Sequence, residues 1–324
     1  MAIVGCGSAT PERIVSNDAL AQIVDTSDEW ISTRTGIKRR HLSDGESLSQ
    51  LAAKAASKAL EMAQIAPTDV DLIILSTSTP DDLFGSACRV QSLLGATKAV
   101  AFDLTAACSG FVFGLNVAAQ FIRTGVYQNI LVIGADILSR WVNWQDRNTC
   151  VLFGDGAGAV VCRAIEGNDR LLGFQMYSDG SQNSSLNLAY KGEESQLQGD
   201  LKVNQGTYQP VTMNGKDVYR FAVGKVPEVI EKTLFNANLT IDSVDWLILH
   251  QANQRIMDAV AERLKLPANK VISNLYEYGN TSAASIPIAL DEAVRSGKIQ
   301  AGETIVTSGF GAGLSWGAAI FKWQ

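Results

Sequence analysis

Two stretches of the chain carry one pattern. Thr68–Thr79 reads T-D-V-D-L-I-I-L-S-T-S-T, and Ile241–Asn253 reads I-D-S-V-D-W-L-I-L-H-Q-A-N. Each has an acidic, turn-like entry, a short β-rich apolar run and a polar exit, as expected of a buried strand. Their surroundings also correspond. Ser47–Ala63 and Val218–Leu234 have the apolar spacing of helices, and each feeds its strand through a short acidic turn. Ala99–Leu104 and Lys270–Leu275 are strand candidates on the other side, followed by helices to about Arg123 and Arg295. Cys108 precedes Gly125 by 17 residues, and Asn280 precedes Gly297 by 17. Glycine is the expected stop at a helix C-terminus. Ile130–Ile133 and Thr304–Thr307 read as the next strands.

The spacing predicts an α/β fold in which a β-α-β-α-β unit occurs twice. The two similar halves, 1–165 and 166–324, should face each other. Cys108, His250 and Asn280 then fall at related strand-end or helix-start positions, where ligands of α/β folds gather. Val151–Cys162 (V-L-F-G-D-G-A-G-A-V-V-C) reads as β-turn-β. Ser178–Pro210 is polar and reads as a long excursion, suited to a flap over a site.

Composition removes several function classes. The 324 residues include 27 Lys+Arg and 33 Asp+Glu, a formal net charge of −6, and 46% are hydrophobic. No apolar run approaches the ~20 residues of a membrane-spanning helix. Met1–Thr10 lacks the basic start of a signal peptide. The acidic balance argues against broad nucleic-acid binding. The five cysteines, Cys6, Cys88, Cys108, Cys150 and Cys162, are odd in number, widely spaced and without a C-x-x-C, and read as the reduced thiols of a cytoplasmic protein. With only His41 and His250, a His/Cys metal site has few candidates, and no metal is expected.

Three residues invite chemistry. Cys108 opens a helix that is apolar nearly all round, so it should be central and buried. A thiol at a helix start feels the positive end of the macrodipole, which favours the thiolate; the local pattern fits a small buried structural cysteine equally well. His250 ends a buried strand, the place of a core histidine or of a functional one. Asn280, in Y-G-N-T-S-A-A-S-I-P, reads by itself as a turn or cap residue, and Pro287 predicts a kink in the helix that follows. The Gly-rich run Ser308–Trp316 can aim backbone N–H groups at a developing anion, or form a tight β-turn.

Together these motifs resemble the thiolase-fold condensing enzymes, and more narrowly the β-ketoacyl-acyl-carrier-protein synthase III family. The likeness spans nearly the whole chain. It rests on D-E-W-I-S-T-R-T-G-I at 28–37, A-A-C-S-G-F at 106–111, F-G-D-G-A-G at 153–158, M-N-G at 213–215, H-Q-A-N at 250–253, Y-G-N-T-S at 278–282 and F-G-A-G at 310–313. The resemblance implies two duplicated α-β-α-β-α halves in a five-layered unit. It implies an acyltransferase that starts fatty acid synthesis: Cys108 takes a short acyl group from CoA, and malonyl-acyl-carrier-protein then condenses with it decarboxylatively. A sibling enzyme of secondary metabolism with another acyl chain or acceptor, and a Cys–His thioester hydrolase, are the alternatives.

The resemblance also implies roles. Cys108, His250 and Asn280 are catalytic, and the backbone N–H groups of Cys108 and Ala312 form an oxyanion hole. Trp30 and Arg147 sandwich the CoA adenine, Arg34 meets a CoA phosphate, and Met213, Gly215, Asn253 and Phe310 line the substrate tunnel. Phe84 reaches the acyl pocket of a partner subunit, implying a homodimer. Arg255 docks the acidic carrier protein, with Arg263 and Lys265 as further candidates and Lys38, Arg39 and Arg40 as a second basic cluster. No resident cofactor is implied, because CoA thioesters are substrates.

Overall fold

A computed structural model describes residues 1–324. The first half builds a five-stranded sheet in the order Ala2–Ala9, Gly156–Arg163, Asn129–Asp136, Leu72–Ser76, Val100–Leu104. The last three strands run parallel to one another, and the first two join antiparallel. The second half repeats this arrangement. Its order is Leu171–Ser178, Ser315–Lys322, Thr304–Gly311, Trp246–Leu249, with the last pair parallel. Where the first sheet has its fifth strand, the second has only the parallel bridge Leu247–Val271.

That missing strand corrects the expectation for Lys270–Leu275. The segment is a 3-10 turn at Ala268–Lys270, the single bridge, and a short helix at Leu275–Tyr278. Gln251 takes over the pairing. Its side-chain amide donates to Leu249 O and Ile272 O at 2.7 and 3.3 Å, and its Oε1 accepts from Asn274 N at 3.1 Å. One side chain thus satisfies polar groups that a strand would have paired by ladder hydrogen bonds. Val151–Cys162 is likewise not a hairpin: a turn follows the helix Arg147–Cys150, and only Gly156–Arg163 is strand.

Helices complete five layers. The alanine-rich helix Leu48–Ala63 covers the outer face of the first sheet, and Gly215–Asn236 covers the second. Between the sheets lie Gly110–Arg123 and Ser285–Arg295. This explains the all-round apolar character of the first of these, since Phe111, Val112, Leu115 and Ala118 are buried among strands of both sheets. Pro287 causes no kink. It occupies the first turn of its helix, where its missing N–H has no partner to lose. Pro227 instead sits inside Gly215–Asn236, and the carbonyl it frees, Val223 O, accepts from Arg263 Nη1 at 3.1 Å.

Each middle helix begins with a 3-10 turn, Ala107–Ser109 and Ser282–Ala284, and each turn opens on a left-handed residue: Ala107 at φ 46° and Ser282 at φ 52°. These strained residues correspond across the repeat. The helices that follow have 14 and 11 residues, so the equal 17-residue spacings match the wrong pair. The counterpart of Cys108 is Ala283, and Asn280 lies in the connection just before the second turn. The excursion Ser178–Pro210 contains a 3-10 turn, a short strand Leu186–Asn187 paired with Thr212–Met213, and the hairpin Tyr190–Gln198/Leu201–Tyr208. No helix is long and apolar enough to cross a membrane.

Candidate active site

Cys108, His250 and Asn280 line one cavity of 1320 Å³. The fold brings them together from three directions. Cys108 comes on the 3-10 turn before the first middle helix, only 8% exposed. The strand Thr304–Gly311 runs beside it so closely that a Cβ on Gly311 would sit 2.7 Å from Cys108 N. Gly134 lets the opposing turn approach in the same way: its Cβ would meet Ala283 O at 2.1 Å.

His250 follows Trp246–Leu249 and is pinned by its N–H donating to Ser308 O at 2.8 Å. Its ring packs edge-on against Phe310. Nδ1 lies 2.7 Å from Ser285 Oγ, and the same oxygen accepts from Gln251 N at 3.3 Å. The Ser285 hydroxyl hydrogen has no other acceptor, so it goes to Nδ1, which leaves the ring proton on Nε2. Burial pulls the His250 pKa down to about 3, so the imidazole is neutral at physiological pH and offers an Nε2–H donor. Asn280 is held by its backbone, bridged to Phe153, and by Oδ1, which accepts from Ser282 N at 2.9 Å. That fixes the amide orientation and leaves Nδ2 as the free end.

The Cys108 thiol departs from the sequence expectation. Burial pushes it up to about 12, outweighing the Ser282 hydroxyl, which donates to Sγ at 3.3 Å. Desolvation of the thiolate dominates whatever the helix start contributes.

The same cavity is lined by Phe310, Met213, Gly215, Asn253, Trp30 and Arg34, and by the exposed Arg255. Asn253 has a partner at each end of its amide: Oδ1 caps Gln254–Arg263 by accepting from Arg255 N, and Nδ2 donates one hydrogen to Arg34 O at 3.0 Å. Arg147 is not on the wall, but its guanidinium and that of Arg34 each lie 4.9 Å from the Trp30 ring centre. Ala312 is also off the wall; Phe310 and Gly311 are the residues of the Ser308–Trp316 run that line the cavity. Phe84 lies elsewhere and is fully exposed.

The basic candidates separate. Arg255 is unpaired and rests over Tyr219. Arg263 is committed to Val223 O and Gly224 O, and Arg40 is fully buried, bonded to Asn17 and Val151 O. Lys216 and Arg220, which the sequence reading missed, lie on the cavity rim beside Arg255. Their i, i+4 spacing after Gly215 was the available signal. Ser282 and Ser285 were missed because nothing local distinguishes them from the small residues around them.

Profiles described as 3-oxoacyl-[acyl-carrier-protein] synthase III and its C-terminal part match residues 102–180 and 234–323. The chain is 70% identical over 322 residues, 99% of its length, to the β-ketoacyl-[acyl-carrier-protein] synthase III of Microcystis aeruginosa, of which 97% is covered. It is 68% identical to that of Trichormus variabilis, covering 100% of this chain and 98% of the relative. The chain belongs to the β-ketoacyl-[acyl-carrier-protein] synthase III family. A crystal structure of a 3-oxoacyl-[acyl-carrier-protein] synthase III from Aquifex aeolicus superposes with a TM-score of 0.92 at 43% identity, covering 99% of each chain. The fold is therefore the thiolase-like one of these synthases, and the chain is an acyltransferase of the condensing-enzyme class.

Proposed function

We propose that this synthase starts fatty acid synthesis through Cys108, His250 and Asn280. An acyl group, usually acetyl, passes from CoA to Cys108. Malonyl-acyl-carrier-protein then condenses with it, giving 3-oxoacyl-acyl-carrier-protein, CoA and CO2. The observation that carries this reading is that a thiol, a neutral imidazole and an amide whose Nδ2 is free all line one cavity.

In the first half-reaction Sγ attacks the thioester carbonyl, splitting a difficult transfer into two easier ones. The oxyanion is assigned to the N–H groups of Cys108 and Ala312, supported by the close run of Gly311 against the nucleophile turn. In the second, loss of CO2 supplies the carbanion, so no base is needed at carbon. Negative charge grows on the malonyl thioester oxygen, where Nε2–H of His250 and Nδ2–H of Asn280 act as donors that strengthen in the transition state. A cationic histidine is not required, and burial disfavours it.

CoA is proposed to occupy this cavity, with pantetheine along Met213, Gly215 and Asn253 and the phosphates near Arg34. Asn253 also braces the wall through the bonds its amide makes with Arg34 O and Arg255 N. The adenine pairs with Trp30 and Arg147, but an inserted ring needs roughly 7 Å between its neighbours, two van der Waals separations. The 4.9 Å contact must therefore open, exchanging a cation–π pair for two stacking faces. Arg255, with Lys216 and Arg220, forms the docking rim for an acidic carrier protein. The fully exposed Phe84 and the open edge strand Val100–Leu104 support a homodimer in which Phe84 enters the partner's acyl pocket. Five unpaired cysteines suit a cytoplasmic setting.

The test is product analysis with acetyl-CoA and malonyl-acyl-carrier-protein. The expected products are 3-oxobutyryl-acyl-carrier-protein and CO2 in equal amounts. Free acetate as the main product would instead identify a hydrolase.

A further inference from the structure

The adenine clamp proposed above is built from two separate pieces of chain. Trp30 and Arg34 ride on the helix Asp28–Thr35, and Arg147 opens the short helix Arg147–Cys150. The pieces meet in front through side chains: the Arg147 guanidinium lies 4.9 Å from the Trp30 ring centre, and its Nη1 donates to Asp25 O at 2.9 Å. Admitting an adenine parts Arg147 from Trp30, so that contact cannot set the distance between the pieces while the ring is bound.

Arg40 ties them from behind. Its side chain is fully buried, yet all three of its bonds go to neutral oxygens. Nη2 donates at 2.8 Å to the carbonyl of Val151, the residue after Arg147–Cys150. Nη1 donates to Asn17 Oδ1 at 2.8 Å and to Val15 O at 3.3 Å. Asn17, itself 1% exposed, passes the tie on: its Nδ2 donates to Asp28 Oδ1 and to Ile37 O, both at 2.8 Å. Those acceptors stand at the first residue of the Trp30 helix and just past its last turn. Burying a cation without a carboxylate is costly. A planar fork lets one side chain reach oxygens on three segments, which the single ammonium of a lysine does not match. We propose that Arg40, acting through Asn17, is the positioning residue that sets the spacing between the two sides of the CoA adenine clamp. This rests on the reading of Trp30 and Arg147 as that clamp.

With this brace in place, opening is confined to the side chains. The backbone on either side of the ring stays put, so the adenine meets two faces already spaced for it and less ordering opposes its binding. The brace therefore acts on how tightly CoA is held and not on the chemistry at Cys108. The stem of Arg40 does approach the enolate site: a Cβ on Gly154 or Gly279 would lie 3.2 or 3.5 Å from Arg40 Cβ, and Gly279 precedes Asn280. Arg40→Lys keeps that stem and removes the fork, which separates the two roles.

The experiment follows the rate of Cys108 acetylation in the full chain by mass spectrometry, against the concentration of acetyl-CoA and of acetyl-pantetheine, which lacks the adenosine and the phosphates. Arg40→Lys should raise the half-saturating concentration of acetyl-CoA about tenfold, within the range of one base–aromatic stack, with the maximal rate near normal. Acetyl-pantetheine should acetylate it as it does wild type. The shift should vanish when Trp30→Ala is already present, because the clamp is then lost. Mere disruption would instead lower the maximal rate with both thioesters. Should Arg40→Lys fail to fold, Asn17→Asp decides: it keeps an acceptor for Arg40, takes away both donors to the Trp30 helix, and should shift acetyl-CoA alone. An acetyl-CoA half-saturation within about twofold of normal in the deciding variant, or equal losses with both thioesters, overturns the brace and leaves the clamp reading intact. A Trp30→Ala enzyme that uses acetyl-CoA as well as wild type overturns both.

Discussion

Replacing Asn280 by Asp probes the proposed enolate site with the least structural disturbance. The side chain makes two contributions that can be separated. Oδ1 accepts from Ser282 N at 2.9 Å and steadies the turn whose hydroxyl touches Cys108. Nδ2 is the donor that faces the cavity. Asn280→Ala removes both, so it loses about 1 kcal/mol of turn stability as well as the donor. Asn280→Asp keeps the acceptor and the volume and replaces the donor with a second oxygen. Loss of one oxyanion donor costs about 10²–10³ in rate, or ~2.7–4 kcal/mol. A carboxylate in that place also opposes the growing charge, so the loss should lie at or above the upper end of that range. The assay follows ¹⁴CO2 release from malonyl-acyl-carrier-protein alongside acetylation of Cys108 by acetyl-CoA. Decarboxylation should fall about 10³-fold while acetylation stays near normal. Decarboxylation within tenfold of wild type refutes the donor role of Asn280; parallel loss of both steps shows that its role is to hold the turn.

Other consequences follow from geometry and burial. His250 is neutral down to about pH 3, so NMR of its ring should show no titration between pH 5 and 8. The unfolded chain binds that proton near the ordinary value of about 6.5. The His250 contribution to stability is therefore full above that pH and is lost progressively as the pH falls toward 3; urea midpoints across this range would reveal it. Gly311→Ala places a Cβ 2.7 Å from Cys108 N and should cost ~1–3 kcal/mol by overpacking, with a clear loss of acetylation in the folded fraction. Arg255→Glu should raise the KM for carrier protein at low salt and leave acetylation by acetyl-CoA unchanged; an unaltered KM would move docking away from this rim.

Much of the architecture was legible because the pattern is written twice. The paired runs at 72–76 and 246–249 are buried strands, and the apolar helix after Cys108 is the middle layer the periodicity called for. Lys270–Leu275 misled because its polar groups are satisfied by Gln251, a side chain reaching across 21 positions to Ile272, which no local pattern announces. The spacing match between Cys108 and Asn280 failed for a different reason. Helix length drifts freely between duplicated halves, whereas the left-handed residues at the helix starts, Ala107 and Ser282, mark the true register. Cys108, His250 and Asn280 could be singled out by type and position, and the fold brings them to one cavity. The tautomer of His250 and the burial of the thiol depend on contacts between residues far apart in sequence, His250 with Ser285 and Cys108 with Ser282, and those exist only once the chain has folded.

The most direct measurement is intact and peptide mass spectrometry after brief exposure of the full chain to acetyl-CoA alone. The expected result is one acetyl group per chain, carried by the peptide containing Cys108, discharged when malonyl-acyl-carrier-protein is added and absent in Cys108→Ser. Acetyl on another residue, or turnover to free acetate without a Cys108 adduct, would contradict the assignment of Cys108 as the nucleophile.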